Sequence, residues 1–400
     1  MTVVAILGLG FLILVHEAGH FFTARAVGMN PRRFYVGFPP ALVKWNRKGI
    51  EYGLGSIPLG GYVKIPGMHR PSPSDVDVHF GRAISERPQL FPLTTALRRR
   101  LEEGEMEAAR RELDTIEETL SHAPLSPGAR KTAERGIQEL RDALGPDAYW
   151  RQRTWKKIAV IFAGPGTNLL LALVLFTILF MLSGGKLTGK VGQVQSDTPA
   201  AKVGLQAGDR IVAIDGRRVR PTQIRDRIAS SHGRPLILLV RRHGHRVVLG
   251  PVRPEKMDGA YRLGFLLHAP GLAAPAAVWN SVKLTGEIAK RTALVIKGLV
   301  HHEVRNQISS PVGITEVSTQ ALHEGIQSYL WVLGFLSLSL ALLNLLPLDG
   351  GHIAFSLVEG VRGRAVGREV YERVSVVGIA LVLMLYVIGL SNDVGRLGGG

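Results

Sequence analysis

The stretch LILVHEAGHFF, residues 12–22, sets His16, Glu17 and His20 in an otherwise apolar run. In a helix, residues four apart lie about 40° apart around the axis, so the two imidazoles project the same way one turn apart. That geometry suits two ligands to one zinc ion, with Glu17 on the adjacent flank able to reach a water on the metal. Bound zinc lowers the pKa of such a water to about 7 and so supplies hydroxide at neutral pH. The bland reading is two satisfied helix histidines beside a surface carboxylate. Location weighs against it, because a carboxylate at membrane depth costs roughly 2.5–3.5 kcal/mol, and ionisable groups there pair, line a cavity or perform chemistry.

Two histidines leave a tetrahedral site short of one protein ligand plus water. With no cysteine in the chain, that donor must come from His, Asp, Glu or another oxygen or nitrogen group. ALLNLLPLDGGHIAF, residues 341–355, offers Asp349 as the strongest choice, since Gly350 and Gly351 permit an unwound backbone that turns a carboxylate inward. An ordinary Asp-Gly turn at the membrane surface is the rival account of Asp349. His352 is either a competing ligand or an interfacial histidine.

Four apolar stretches can carry these residues across a bilayer: 2–24, 158–183, 328–347 and 374–391. A hydrophobic content of 46% and a mean hydropathy of +0.15 agree with a membrane class. No Lys or Arg precedes the first apolar stretch, and cleavage near residue 26 would discard the ionisable cluster, so this span is expected to be retained rather than removed as a signal peptide. With the second span crossing back between them, the first and third spans run in the same direction, which brings His16 and Asp349 toward one membrane face. Arg362, Arg364 and Arg368 in the short loop after the third span incline that face toward the cytoplasm. The formal charge of +17 is spread over both polar segments without a basic-aromatic stripe, which points to anionic lipid headgroups and away from nucleic acid.

The chain divides into residues 1–27 with the first span, 28–67, 68–150, 151–184 with the second span, 185–268, 269–327, 328–355 with the third span, and 356–400 with a basic loop and the fourth span. Within 28–67, short β-favouring pieces separated by Gly and Pro predict hairpins. Residues 69–88, rich in Pro, Ser and Asp, predict a linker. Leu97, Leu101, Leu113, Ile116 and Leu120, then Ile137, Leu140 and Leu144 after the breaker SHAPLSPG, predict an αα-hairpin in the 68–150 insert. Between the second and third spans, TPAAKVGLQAGDRIVAIDGRRV and the strand-like PLILLVRR, HRVVLG and YRLGFLL predict a small α+β domain. Residues 274–300 have an apolar face broken by charges and are expected to lie on the membrane surface.

Taken together, the H-E-x-x-H of a first span, the PLGGYVK hairpin, AGPGTN opening the second span and NLLPLDGGH in the third resemble the site-2 proteases, zinc metalloproteases that cut within membranes. The 198–267 region resembles a PDZ domain of the permuted bacterial kind. The resemblance covers nearly the whole chain apart from about 68–148. It implies a polytopic α-helical membrane protein with four transmembrane helices, a membrane-associated β-hairpin and an inserted PDZ-like α+β domain. It implies one Zn2+ per chain on His16, His20 and Asp349, with Glu17 as general base and acid. The hairpin around Ile57 to Ile65, with Gly60, Gly61 and Tyr62, would hold substrate extended, and Asn344 would position it near the metal. Arg262, Leu263, Gly264 and Phe265 would form the peptide loop of the PDZ-like domain, with a strand-adding peptide as its ligand. Asn168 matches the family's G-P-x-x-N as a packing or supporting residue. The implied substrates are single-span membrane proteins such as anti-sigma factors, or remnant signal peptides. The implied setting is the bacterial inner membrane, with the active site toward the cytoplasm and the PDZ-like domain outside. The family usually has a longer run between its Asn and the L-D-G-G, whereas four residues separate Asn344 from Asp349. The shortened turn keeps open a second reading, a noncatalytic membrane PDZ adaptor.

Overall fold

The computed structural model describes residues 1–257, 259–297, 310–345, 349–363 and 368–398. Part of the surface-lying segment (298–309), the turn before Asp349 (346–348) and part of the basic loop (364–367) lie outside the described residues. Among the described residues, four helices are long and apolar enough to cross a membrane: α1 (Thr2–Ala26), α6 (Thr154–Ser183), Ile326–Leu345 and the Val376–Gly395 part of a longer helix. Their polar backbone groups are satisfied within each helix, the condition for crossing hydrocarbon. The third span ends at Leu345, and Asp349 opens a separate helix, Asp349–Arg362.

The chain forms two compact units. One comprises Val3–Leu170, Leu294–Thr315 and Leu336–Gly400. In it, β1 (Arg33–Arg47) and β2 (Ile50–Lys64) both bend, so that residues 33–36 pair with 51–54 on one side and with 61–64 on the other. Residues 41–47 pair in turn with 50–55, and the sheet therefore runs in the order 41–47, 50–55, 33–36, 61–64, with the register of 33–36 against 51–54 rising in the same sense and the two outer pairings antiparallel. The 61–64 run is an edge, with no strand on its outer side among the described residues.

The insert after this sheet holds four helices: α2 (Pro73–Glu86), α3 (Phe91–Glu103), α4 (Met106–His122) and α5 (Pro127–Leu144). This corrects the linker expected at 69–88, while α4 and α5 stand where the αα-hairpin is expected, with the first of its helices shortened. The linker composition conceals a helix start: Ser72 caps α2, its backbone N–H donates to the Asp75 carboxylate at 2.8 Å, and Pro73 occupies the first turn. Likewise, the long amphipathic stretch is cut in two by Gly104, which ends α3 in the left-handed conformation. Phe80, Leu97, Leu113, Ile116 and Leu140 meet in one fully buried core. Outside that core, Asp142 of α5 accepts from Arg32 Nε at 2.8 Å and pairs with Lys64 Nζ at 2.9 Å, gripping residues at both ends of the sheet's chain.

The other unit takes in Met1–Thr2, Leu171–Ala293 and Glu316–Phe335. Its α+β portion contains β3 (Val191–Val194), α7 (Pro199–Lys202), β4 (Arg210–Ile214), β5 (Arg217–Arg218), α8 (Ile224–Ala229), β6 (Leu236–Arg242), β7 (His245–Val252), β8 (Glu255–Met257), β9 (Ala260–Arg262) and β10 (Phe265–Leu267). The main sheet has the order β5-β4-β6-β7, β10 pairs with β3, and β8 with β9. Leu236, Leu238 and Val240 alternate inward along β6 onto Ile214 and Ile224, as a strand with one buried face requires. Asp209 is 1% exposed and receives both Nε and Nη2 of Arg242, at 2.8 and 2.7 Å. Helices α9 (Ala274–Lys297) and Pro311–Glu324 follow.

Candidate metal centre

His16 and His20 are 6% and 9% exposed and present their Nε2 atoms 3.3 Å apart. Each lies 3.8 Å from Asp349 Oδ2. A tetrahedron with arms of 2.0–2.1 Å has edges of roughly 3.3 Å, so two imidazoles and a carboxylate at these separations fit Zn2+ with one position left open. Among the described residues these three form the only His, Asp and Glu group that meets within 4.8 Å, and His352 is not part of it.

Second-span residues set the orientation of both rings. The carbonyl of Val160 accepts from His20 Nδ1 at 2.8 Å, which fixes the proton there and leaves Nε2 bare toward Asp349. Four residues on, Gly164 lies directly against the His20 ring: a Cβ at that position would come within 2.2 Å of Nε2. After another four, the wholly buried Asn168 reaches His16 Nδ1 through Nδ2 at 3.3 Å, while its Oδ1 is buried without a partner among the described residues. The two ends of an amide are assigned by their hydrogen bonds. Rotating the group by 180° gives Oδ1 a donor in His16 Nδ1–H and frees His16 Nε2 for a metal. Val160, Gly164 and Asn168 thus form an i, i+4, i+8 stripe facing the histidines. The Ser337 hydroxyl of the third span donates to the Asn168 carbonyl at 2.8 Å and ties that span to the stripe.

Asp349 arrives on a helix held from below. Glu359 of that helix forms a nearly buried pair with Lys157 of α6 at 3.0 Å, and Ser356 shares a hydrogen bond with Tyr149 at 3.3 Å. Asn344 Nδ2 stands 3.2 Å from His16 Nε2, so the short run from Asn344 to Asp349 still brings both side chains to the histidines. On the sheet edge, a Cβ at Gly61 would come within 2.2 Å of Glu17 Cγ. Only a glycine lets backbone pass that close to the carboxylate. Tyr62 follows it on the edge run, and Gly60 precedes the run with φ +159°.

The model of peptidase family M50 matches residues 4–385. The chain belongs to peptidase family M50. This is the site-2 protease family whose motifs the sequence displays, and an M50 member is a peptidase. Relatives in Lactococcus lactis and Agrobacterium fabrum, both named "putative zinc metalloprotease", are 28% and 29% identical, over 97% and 98% of this chain and 96% and 95% of their own length. The "probable protease eep" of Enterococcus faecalis is 26% identical over 97% of each chain.

Arg262, Leu263, Gly264 and Phe265 lie in the other unit. Leu263 is buried and Gly264 turns with φ +82°, while β10 begins at Phe265. A cleft of about 860 Å³ runs between this loop and Ile224 and Ile228 of α8, and Gln320 and Glu324 contribute to its wall. Sequence reasoning left Val160 and Gly164 out of the site. A backbone carbonyl carries no side-chain signal, and Gly164, though part of the AGPGTN stretch, has no donor atom that would mark it as part of a metal site.

Proposed function

We propose that this M50 peptidase is an intramembrane zinc endopeptidase that cuts transmembrane segments of single-span membrane proteins, with His16, His20 and Asp349 holding the metal. The observation that carries this reading is the meeting of three donors from the first span and a helix over three hundred residues later, beside a carboxylate inside an apolar helix. Zinc, when bound, supplies an activated water and polarises the peptide carbonyl. Glu17 accepts the proton of the attacking water and delivers it to the leaving amine nitrogen, a general base and then a general acid. Asn344 Nδ2 donates toward the carbonyl oxygen as charge builds there.

The open edge at 61–64 gives a reason for the sheet. A helical peptide bond is shielded by its own hydrogen bonds, and a segment paired to this edge as an added strand is extended and exposed where Gly61 passes Glu17. The cleft beside Arg262, Leu263, Gly264 and Phe265 takes an extended peptide in a PDZ-like manner. Anti-sigma factors and remnant signal peptides are the substrate classes that the resemblance favours. The protein sits in the bacterial inner membrane with its metal centre toward the cytoplasm.

The test is zinc content together with cleavage of a model single-span substrate by the purified protein. Glu17→Gln is expected to keep stoichiometric zinc and to lose cleavage by a factor of about 10²–10⁴. Asp349→Ala is expected to lower both. Undiminished proteolysis by Glu17→Gln overturns the assignment.

A further inference from the structure

At the end of α1, beside the β1–β2 turn, lies a cleft of about 650 Å³ with an unusual charge. Arg25, Arg32, Arg47 and Lys48 contribute to its wall together with Asn30, and among the described residues none of the side chains lining it is acidic. Arg32 is already satisfied by Asp142 and Asp147. Arg25, Arg47 and Lys48 form no ion pair among the described residues, and all three are exposed. Three unneutralised cations are therefore gathered around one hollow.

Their placement is built by the backbone. Arg47 pairs with Ile50 across a two-residue turn in which Lys48 and Gly49 have φ of +51° and +77°, the tight hairpin geometry that twists with its strands. Arg25 occupies the last turn of an apolar span. The hollow thus stands where a membrane-crossing helix ends.

The surroundings say which anion fits. On the strand that leads to Arg47, Leu42 is 66%, Val43 59% and Trp45 55% exposed, apolar surface that water alone would not favour. Trp45 stacks on Tyr52 with ring centroids 5.9 Å apart, and both rings line the hollow. Aromatic rings of this amphipathic kind settle at headgroup level, and guanidinium forks match phosphate oxygens in pairs. Acyl chains would lie along Leu42 and Val43 while a phosphate reaches the cations.

We infer that this cleft binds the phosphate headgroup of an anionic membrane lipid, with Arg25, Arg47 and Lys48 as its ligands. The inference rests on the chain being membrane-embedded and is independent of its cleavage chemistry.

The experiment places the full chain in nanodiscs of phosphatidylcholine with phosphatidylglycerol and counts retained lipids by native mass spectrometry. Incorporation into discs of neutral lipid alone tests the membrane reading separately. The wild type is expected to retain phosphatidylglycerol in preference to phosphatidylcholine. The double variant R47Q/K48Q, altered only at exposed positions, is expected to lower that preference roughly thirty-fold, from the usual contribution of a cation near an anionic surface. R217Q/R218Q, with the same loss of charge on exposed β5 residues, is expected to leave it unchanged. Equal preference in R47Q/K48Q overturns the site. Displacement of the lipid by millimolar inorganic phosphate also overturns it, since the ligand would then be free phosphate.

Discussion

A histidine becomes a defined metal ligand only when its other nitrogen is committed, and here both commitments come from α6. His20 is committed through a carbonyl, which no substitution at Val160 removes. His16 is committed through the side chain of Asn168, which can be removed. Asn168→Ala is expected to lower zinc affinity 10- to 100-fold, the usual cost of losing such a partner, while Asn168→Asp, which keeps an acceptor, recovers most of it. Competition with a chromogenic chelator reads this directly, and affinity unchanged in Asn168→Ala would remove the residue from the site. At this scale the sequence was largely legible. His16, Glu17 and His20 are neighbours on one helix, and their i, i+4 spacing alone states their geometry. Asp349 was legible as a donor at matching depth followed by two glycines. The role of Asn168 was not, because a buried amide looks the same whether it packs or orients a ring.

Among elements, the insert and the sheet are joined by one carboxylate: Asp142, whose side chain is 11% exposed, holds Arg32 and Lys64 together. Removing Asp142 leaves Lys64 without an ion-pair partner among the described residues while Arg32 keeps Asp147, and with both cations partly exposed the loss is about 1–3 kcal/mol. Asp142→Ala is therefore expected to speed hydrogen exchange at Val63 and Lys64, the end of the edge run that starts beside Glu17, well before the core of α2–α5 opens. Simultaneous opening of both would show that the pair is not the local clamp. In the α+β portion, burial raises the Asp209 carboxyl, but the Arg242 guanidinium and the Gln206 N–H outweigh it and hold the pKa below the ordinary value of 3.8. Stability from this pair is then fully present above the unfolded value and is lost as pH falls through the lower folded one. Asp209→Asn is expected to destabilise β4 and β6 by about 2 kcal/mol at pH 7, with the gap closing toward pH 3, as read by urea-dependent amide exchange. A gap independent of pH would count against the ion pair. Elements were less legible than residues. Helical and alternating periods located α4, α5 and β6, whereas α2 was hidden behind loop-like composition, and the strand order depends on bends near Pro39 and Gly60 that no periodicity reports.

For the whole molecule, the number of crossings decides which segments share a compartment. The insert precedes α6 and the α+β portion follows it, so the proposed topology, with one crossing by α6, requires them to face opposite sides of the bilayer. The sign of that arrangement rests on short-loop charge, for which Arg362, Arg364 and Arg368 favour a cytoplasmic face next to the metal centre. The proposed topology therefore assigns the insert to the side of the metal centre and the α+β portion to the outside. Because the chain contains no cysteine, one introduced thiol reports its own position without background. A cysteine replacing Arg217, exposed on β5, is expected to react with a membrane-impermeant maleimide added to intact inverted-free spheroplasts. One replacing Glu112, in the insert, is expected to react only after the membrane is opened. Labelling of both from the same side would mean that α6 does not cross, and the depth-matching of His16 with Asp349 would then need another explanation. The reverse pattern would keep the four crossings and turn the metal centre to the outer face.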